Sequence, residues 1–129
     1  MAYFPPGNMI QRYWDTGLKW IKKLSYIFSV LGVSFDQYST RLGLQHPLIY
    51  ESNPVVRSLI EAGVWLYADI LILGAMLLIC KLLVNRWSFP YRGVVFLGLL
   101  TYGLLRFFTG YSNMMLLISV MNYPAFPAF

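Results

Sequence analysis

Charged side chains are scarce in this sequence, and the scarcity excludes a good deal. Five acidic and ten basic residues make up 12% of the 129 residues, about half the share usual in a water-soluble domain. A chain that is 58% apolar and 18% aromatic has too little polar surface to cover a water-facing exterior. It is therefore expected to reside in a membrane as a single domain. One cysteine, Cys80, leaves no disulfide framework. One cysteine and one histidine, His46, cannot furnish a haem pair or a thiolate centre. There is no G-x-S-x-G, H-E-x-x-H, C-x-x-C or phosphate-binding P-loop. Catalysis by this chain alone is not expected, nor is a resident cofactor. The basic residues flank apolar runs without forming an aromatic-interleaved face, so they read as topology signals and not as a nucleic-acid surface. No cleavable signal peptide is expected, because the first apolar run follows Lys22 and Lys23, contains an aspartate and lacks a small-residue cleavage site.

What the sequence does contain is three apolar runs close to the ~20 residues that a spanning helix needs. They cover 24–44, 54–83 and 93–116, the membrane part of the second being 63–80. The expected fold is all-α, an integral membrane three-helix bundle with an N-terminal amphipathic interfacial helix. The opening MAYFPPGN carries a Pro-Pro-Gly breaker, so extended backbone is expected before Asn8, a candidate cap for a helix over 8–23. Ile10, Tyr13, Trp14, Leu18 and Ile21 share one face of that helix, opposite Gln11, Arg12, Asp15, Lys19, Lys22 and Lys23. Such a helix lies on the membrane surface or extends the first span into water. Asn53-Pro54 reads as an N-cap with proline at the first helical position. Trp65 and Tyr67 mark an outer interface, NRWSFPYR a short basic hairpin, and NYPAFPAF (122–129) an extended tail. Seven basic residues fall on one side, against Arg41 and Arg57 on the other. That bias predicts a multi-pass protein of the cell membrane, N-terminus cytoplasmic and C-terminus external.

The first span is the pivot. Ser25, Ser29, Gly32, Asp36, Thr40 and Gly43 recur at intervals of three and four residues. On a helix these fall on one face, leaving Tyr26, Ile27, Val30, Leu31 and Val33 elsewhere. Small and polar residues on one side of a span pack against other helices and not against lipid. Gly103 and Gly110 mark the matching side of the third span, together with Tyr102, Arg106, Thr109 and Asn113.

Three ionisable residues lie inside the spans: Asp36, Asp69 and Arg106. Counting inward at ~1.5 Å per residue places each roughly 10–14 Å from its outer end. A charge left unpaired there costs on the order of 3 kcal/mol or more, so Arg106 is expected to pair with Asp69, Asp36 or both. The cluster reads as a clamp that fixes the register of three helices, with a proton or ion relay as the alternative. A second polar group, Thr40, Glu51, Asn53 and Asn113, belongs to the outer mouth. There Glu51 and Asn53 are expected to cap the second helix, and Glu51 to pair with a neighbouring arginine. Asp36, Glu51 and His46 together would be metal ligands by residue type, but one histidine without a second at suitable spacing argues against a metal. Met114, Met115 and Met121 read as packing residues.

The D-x-x-x-T of the first span (Asp36, Thr40) and the E-x-N-P that opens the second (Glu51, Asn53, Pro54) resemble a group of small polytopic membrane proteins of archaea and bacteria. That group is classed as a domain of unknown function. The resemblance covers roughly residues 35–104 and implies a compact helical bundle with a shared polar site at its outer end. It implies no activity, and Arg106 and the aromatic ends fall outside it.

The expected role is a non-catalytic accessory or structural subunit of a multi-subunit membrane complex, such as an energy-converting or membrane-bound oxidase or oxygenase. Larger membrane subunits and lipid are the expected partners, because proline-aromatic ends suit the grooves of a neighbour. A small ion- or proton-conducting protein is the alternative, and a membrane protein of a lipid-containing virion the third.

Overall fold

In a computed structural model of the chain, the structure describes residues 7–87 and 91–122, with side chains from residue 13 onward. Its elements are α1 (Gly7–Gly43), α2 (Pro54–Glu61), α3 (Trp65–Leu82), a single 3-10 turn (Val84–Arg86) and α4 (Tyr91–Asn122). There are no strands among the described residues, and the chain is all-α. Two segments, Trp65–Arg86 and Tyr91–Asn122, are long and apolar enough to cross a membrane.

The segment 8–23 is not a separate interfacial helix. It is the first part of α1, which runs unbroken for 37 residues, roughly 55 Å at 1.5 Å per residue. No proline interrupts it, and Gly17 alone does not end a helix whose backbone hydrogen bonds continue on both sides. The opening residues 1–6 and the tail from 123 lie outside the described residues, as do 88–90 of the expected basic hairpin. Asn122 is the last residue of α4.

The expected single helix over 54–83 is two. Asn53 caps α2, its side-chain oxygen accepting from Val55 N at 3.0 Å and Val56 N at 3.4 Å. α2 ends at Glu61, and two residues on the chain turns at Gly63, whose φ is 71°. Gly63 N donates to Ile60 O at 2.9 Å and Val64 N to Leu59 O at 3.0 Å. This is the Schellman pairing, which needs a left-handed residue that glycine adopts without steric cost. The break lets α2 leave the line of α3.

α1 and α4 make the main packing of the bundle, side by side and parallel. Ser29 meets Leu99, Gly32 meets Gly103, and Thr40 meets Asn113. Buried residues along one stripe of α1 are Leu18, Ser25, Ser29, Gly32, Asp36, Ser39 and Gly43, and along one stripe of α4 Gly93, Phe96, Leu99, Gly103, Gly110 and Leu117. Half-buried Arg106 and Asn113 fill the gaps in the second series. Both series repeat every 3.5 residues on average, the seam spacing of a left-handed supercoil. The glycines set the separation. A Cβ on Gly32 would overlap the Gly103 carbonyl oxygen, one on Gly103 would strike the Phe28 backbone, and one on Gly110 would lie 3.0 Å from Asp36 N. At that closeness the Ser29 hydroxyl donates across the seam to Leu99 O at 3.0 Å.

α3 runs antiparallel to this pair. Its N-terminal end brings Asp69 to Gln37, while its C-terminal end places Cys80 with Leu18, Val84, Phe96 and Leu99. Two residues expected to face away from the packed side do not. Val33 is only 4% exposed, and Tyr26 is half-buried with its ring edge-on to Phe96 at 5.8 Å between centroids. Tyr26 packs against the cluster in which Cys80 of α3 meets Phe96 and Leu99 of α4, so α1 buries residues beyond its seam stripe.

Polarity is inverted along the middle of α1. Ser25, Ser29, Asp36, Gln37 and Ser39 are buried, whereas Leu24, Ile27, Val30 and Leu31 face outward. Gly103→Val forces extra volume into the tightest part of the seam, so we expect it to destabilise the bundle by about 1–3 kcal/mol. Gly98→Val, at a position with open space around it, should be close to neutral. Unfolding of the two variants by titration with a denaturing detergent compares them directly.

Candidate functional site

Three helices converge on Arg106. Its Nη1 lies 2.9 Å from Asp36 Oδ2, and its Nη2 bonds Asp69 Oδ2. One guanidinium from α4 therefore joins a carboxylate on α1 to a carboxylate on α3. Arginine suits this task because its planar fork presents separate donors to separate acceptors. The Asp36 side chain is 4% exposed, Asp69 13% and Arg106 24%, so exposure rises from the seam outward.

The remaining polar atoms are largely engaged. Gln37 Nε2 donates to Asp69 Oδ2 at 2.6 Å. Asn113 Nδ2 donates to Thr40 Oγ1 at 2.9 Å and to Asp36 Oδ1 at 3.3 Å. The Thr40 hydroxyl stands 3.5 Å from the same Asp36 oxygen, at the limit of a hydrogen bond. Asp36 thus accepts from both neighbouring turns of α4 and from its own helix. Arg106 Nε and Gln37 Oε1 are buried without a protein partner. The rings of Phe35 and Phe107, on α1 and α4, pack at a tilt of 33°, 5.0 Å between centroids.

Of the expected outer-mouth group, Thr40 and Asn113 join this network, while Glu51 and Asn53 make a local cap. The Glu51 carboxylate accepts from Asn53 N at 2.8 Å. It does not pair with an arginine. Arg57 instead donates to the Glu51 backbone carbonyl, from Nε at 2.9 Å and from Nη2, because α2 turns its first full turn back over residue 51. Between the two groups lies a cavity of about 160 Å³, lined by Ser39, Thr40, Tyr50, Glu51 and Asn113 among others. His46 closes a turn by accepting from Leu48 N at 3.3 Å. Asp36, Glu51 and His46 are not brought together, and no three metal-ligating side chains cluster among the described residues.

The packing group divides similarly. Ser29, Gly32, Gly103 and Gly110 form the seam; Ser25 is fully buried, with its hydroxyl donating to Lys22 O at 2.8 Å. Gly43 faces the loop residue Ile49 and no helix. Thr109 is exposed, its hydroxyl bonded to Leu105 O at 3.0 Å. Gln37 and Ser39 are site residues that sequence reasoning passed over. The spacing signal for Ser39 existed, since 36, 39 and 43 continue the 3.5-residue repeat. Gln37 carried no such signal, because it lies off the seam on the side turned to α3.

Removing the shared partner leaves two buried carboxylates uncompensated. Arg106→Gln is therefore expected to cost roughly 3 kcal/mol or more. The double variant Arg106→Gln with Asp69→Asn should fall short of the sum of the single losses by about 1–3 kcal/mol. Equilibrium unfolding of the four proteins of this cycle, in one detergent, measures the shortfall.

No curated protein and no solved structure matches the chain. A family model described as "Domain of unknown function" matches residues 19–119, a stretch that includes the α1–α4 seam from Ser25 onward, α2, α3 and the charge cluster. With more than three quarters of its residues inside that match, the chain belongs to the family of the domain of unknown function DUF5658.

Proposed function

We propose that this protein is a three-span membrane protein that serves as a non-catalytic accessory subunit of a larger membrane complex, its charge cluster acting as a structural clamp. The observation that carries the reading is the sharing of Arg106 between Asp36 and Asp69, which uses the cluster's charges to join α1, α3 and α4. A charge set engaged in this way holds register, and inside a bilayer it removes the cost of leaving either sign alone.

Support for α1 as the third span comes from its inverted polarity, with serines, Gln37 and Asp36 turned inward and an aliphatic exterior beside α3 and α4. The orientation rests on the basic residues. Arg12, Lys19, Lys22, Lys23, Lys81, Arg86 and Arg92 belong to one end, Arg41 and Arg57 to the other, which puts the first end in the cytoplasm. Support for a protein partner comes from the side of α4 turned away from α1. Gly98, Thr101, Ser112 and Ser119 share that face and are exposed, and small residues allow another helix to approach closely.

A second reading, proton or ion movement through the same cluster, is favoured by its stoichiometry of two carboxylates to one guanidinium. Purification from native membranes in a mild detergent distinguishes the two. Co-migration with larger subunits, reduced in the Asp69→Asn/Arg106→Gln protein without a specific change in ion flux, is the expected result. A lone small oligomer whose ion flux in vesicles disappears in that variant would replace the clamp with the relay.

A further inference from the structure

At the end of the bundle away from the charge cluster, α1, the 3-10 turn and α4 enclose a cleft of about 290 Å³. Leu18 and Phe96 form its apolar floor, and Lys19, Lys22, Asn85, Arg92 and Asp15 line it. Three cations face one carboxylate here. Among the described residues the only ion pairs are those of Arg106, so Asp15 makes a direct ion pair with none of the three, and the cleft carries an excess of positive charge.

The placement of these cations is unfavourable without an anion. Lys22 is held over the Phe96 ring, its Nζ 5.9 Å from the centroid, which keeps it inside the cleft. Arg92 stands in the first turn of α4, where there is no acidic residue. That is the positive end of a helix dipole, and a cation there is opposed and not stabilised. Its Nε is also buried without a hydrogen-bond partner. Like charges gathered at a helix start, around an unpaired guanidinium donor, are relieved together by a group carrying negative charge and several acceptor oxygens. Phosphate has that chemistry, and arginine and lysine are its usual side-chain ligands.

We propose that this cleft binds a phosphate group, with Lys19, Lys22 and Arg92 as its cationic contacts. The membrane surface supplies such a group as the headgroup of an anionic phospholipid, and basic pockets between spanning helices on the cytoplasmic side suit these headgroups. The site is separate from the Asp36–Arg106–Asp69 clamp and stands or falls independently of it.

The test uses the full chain in detergent micelles, with thermal unfolding followed while phosphatidylglycerol, phosphatidylcholine or inorganic phosphate is added. Phosphatidylglycerol should raise the unfolding temperature and phosphatidylcholine should not. Lys22→Gln/Arg92→Gln should weaken the phosphatidylglycerol response roughly 25-fold, at about fivefold for each basic group. Lys81→Gln/Arg86→Gln, which removes two exposed cations outside the cleft, should leave it unchanged. If the first variant fails to fold, Lys19→Gln, at an exposed position, should still weaken the response about fivefold. An equal response to inorganic phosphate would keep the site and assign it a soluble ligand. Equal weakening in the Lys81/Arg86 variant, or no response to either probe, would overturn the proposal.

Discussion

The bundle depends on one arginine answering two aspartates from different helices. Buried charges are tolerated only when paired and hydrogen-bonded, and Arg106 meets that condition through Asp36 on α1 and Asp69 on α3. Asn113, Thr40 and Gln37 supply further donors. The arrangement is directional as well as electrostatic. Sliding α4 by one turn would move Arg106 about 5.4 Å along the axis and strand both carboxylates. The cluster is thus a register mark for three helices, at a place where burial of apolar surface alone would permit several registers.

The glycines make that mark possible. Gly32, Gly103 and Gly110 let α1 and α4 approach until a Cβ would strike the opposite backbone. Only at this separation does the Ser29 hydroxyl reach a carbonyl on α4 and Asn113 reach α1. Close packing of small residues and polar contacts across the seam are what hold helices together where the surroundings are as apolar as the side chains. The same design explains why α1 is less apolar than α3 and α4 while sharing their neighbourhood. Its polar residues point into the seam, and Ile27, Val30 and Leu31 point out.

The two ends of the bundle are built differently. At the end near the start of α3, the turn before α2 lies beside a small polar cavity against Thr40 and Asn113. The end that carries the C-terminus of α3 and the start of α4 holds the cations Lys19, Lys22 and Arg92 around one carboxylate, Asp15. Between these ends the described surface is largely aliphatic and aromatic. The apolar middle includes the two helices that are long and apolar enough to cross a membrane.

Much of this was legible in the residues themselves. Low charge and long apolar runs determined an all-α chain of membrane character. Asn53-Pro54 marked the start of α2, and the three- and four-residue spacing of Ser25, Ser29, Gly32 and Asp36 marked the packed face of α1. These features are local: capping and periodicity act through neighbours within a turn or two. What sequence reasoning missed was non-local. A glycine inside an apolar run does not announce a left-handed break, so Gly63 dividing α2 from α3 was not foreseen. Nor does the sequence say that Gln37 faces α3 or that Glu51 keeps its carboxylate for a cap, and it left open which of the expected pairings Arg106 adopts. Those outcomes depend on which side chains stand within about 3 Å of one another, and only the parallel pairing of α1 with α4, closed against α3, brings those atoms into range.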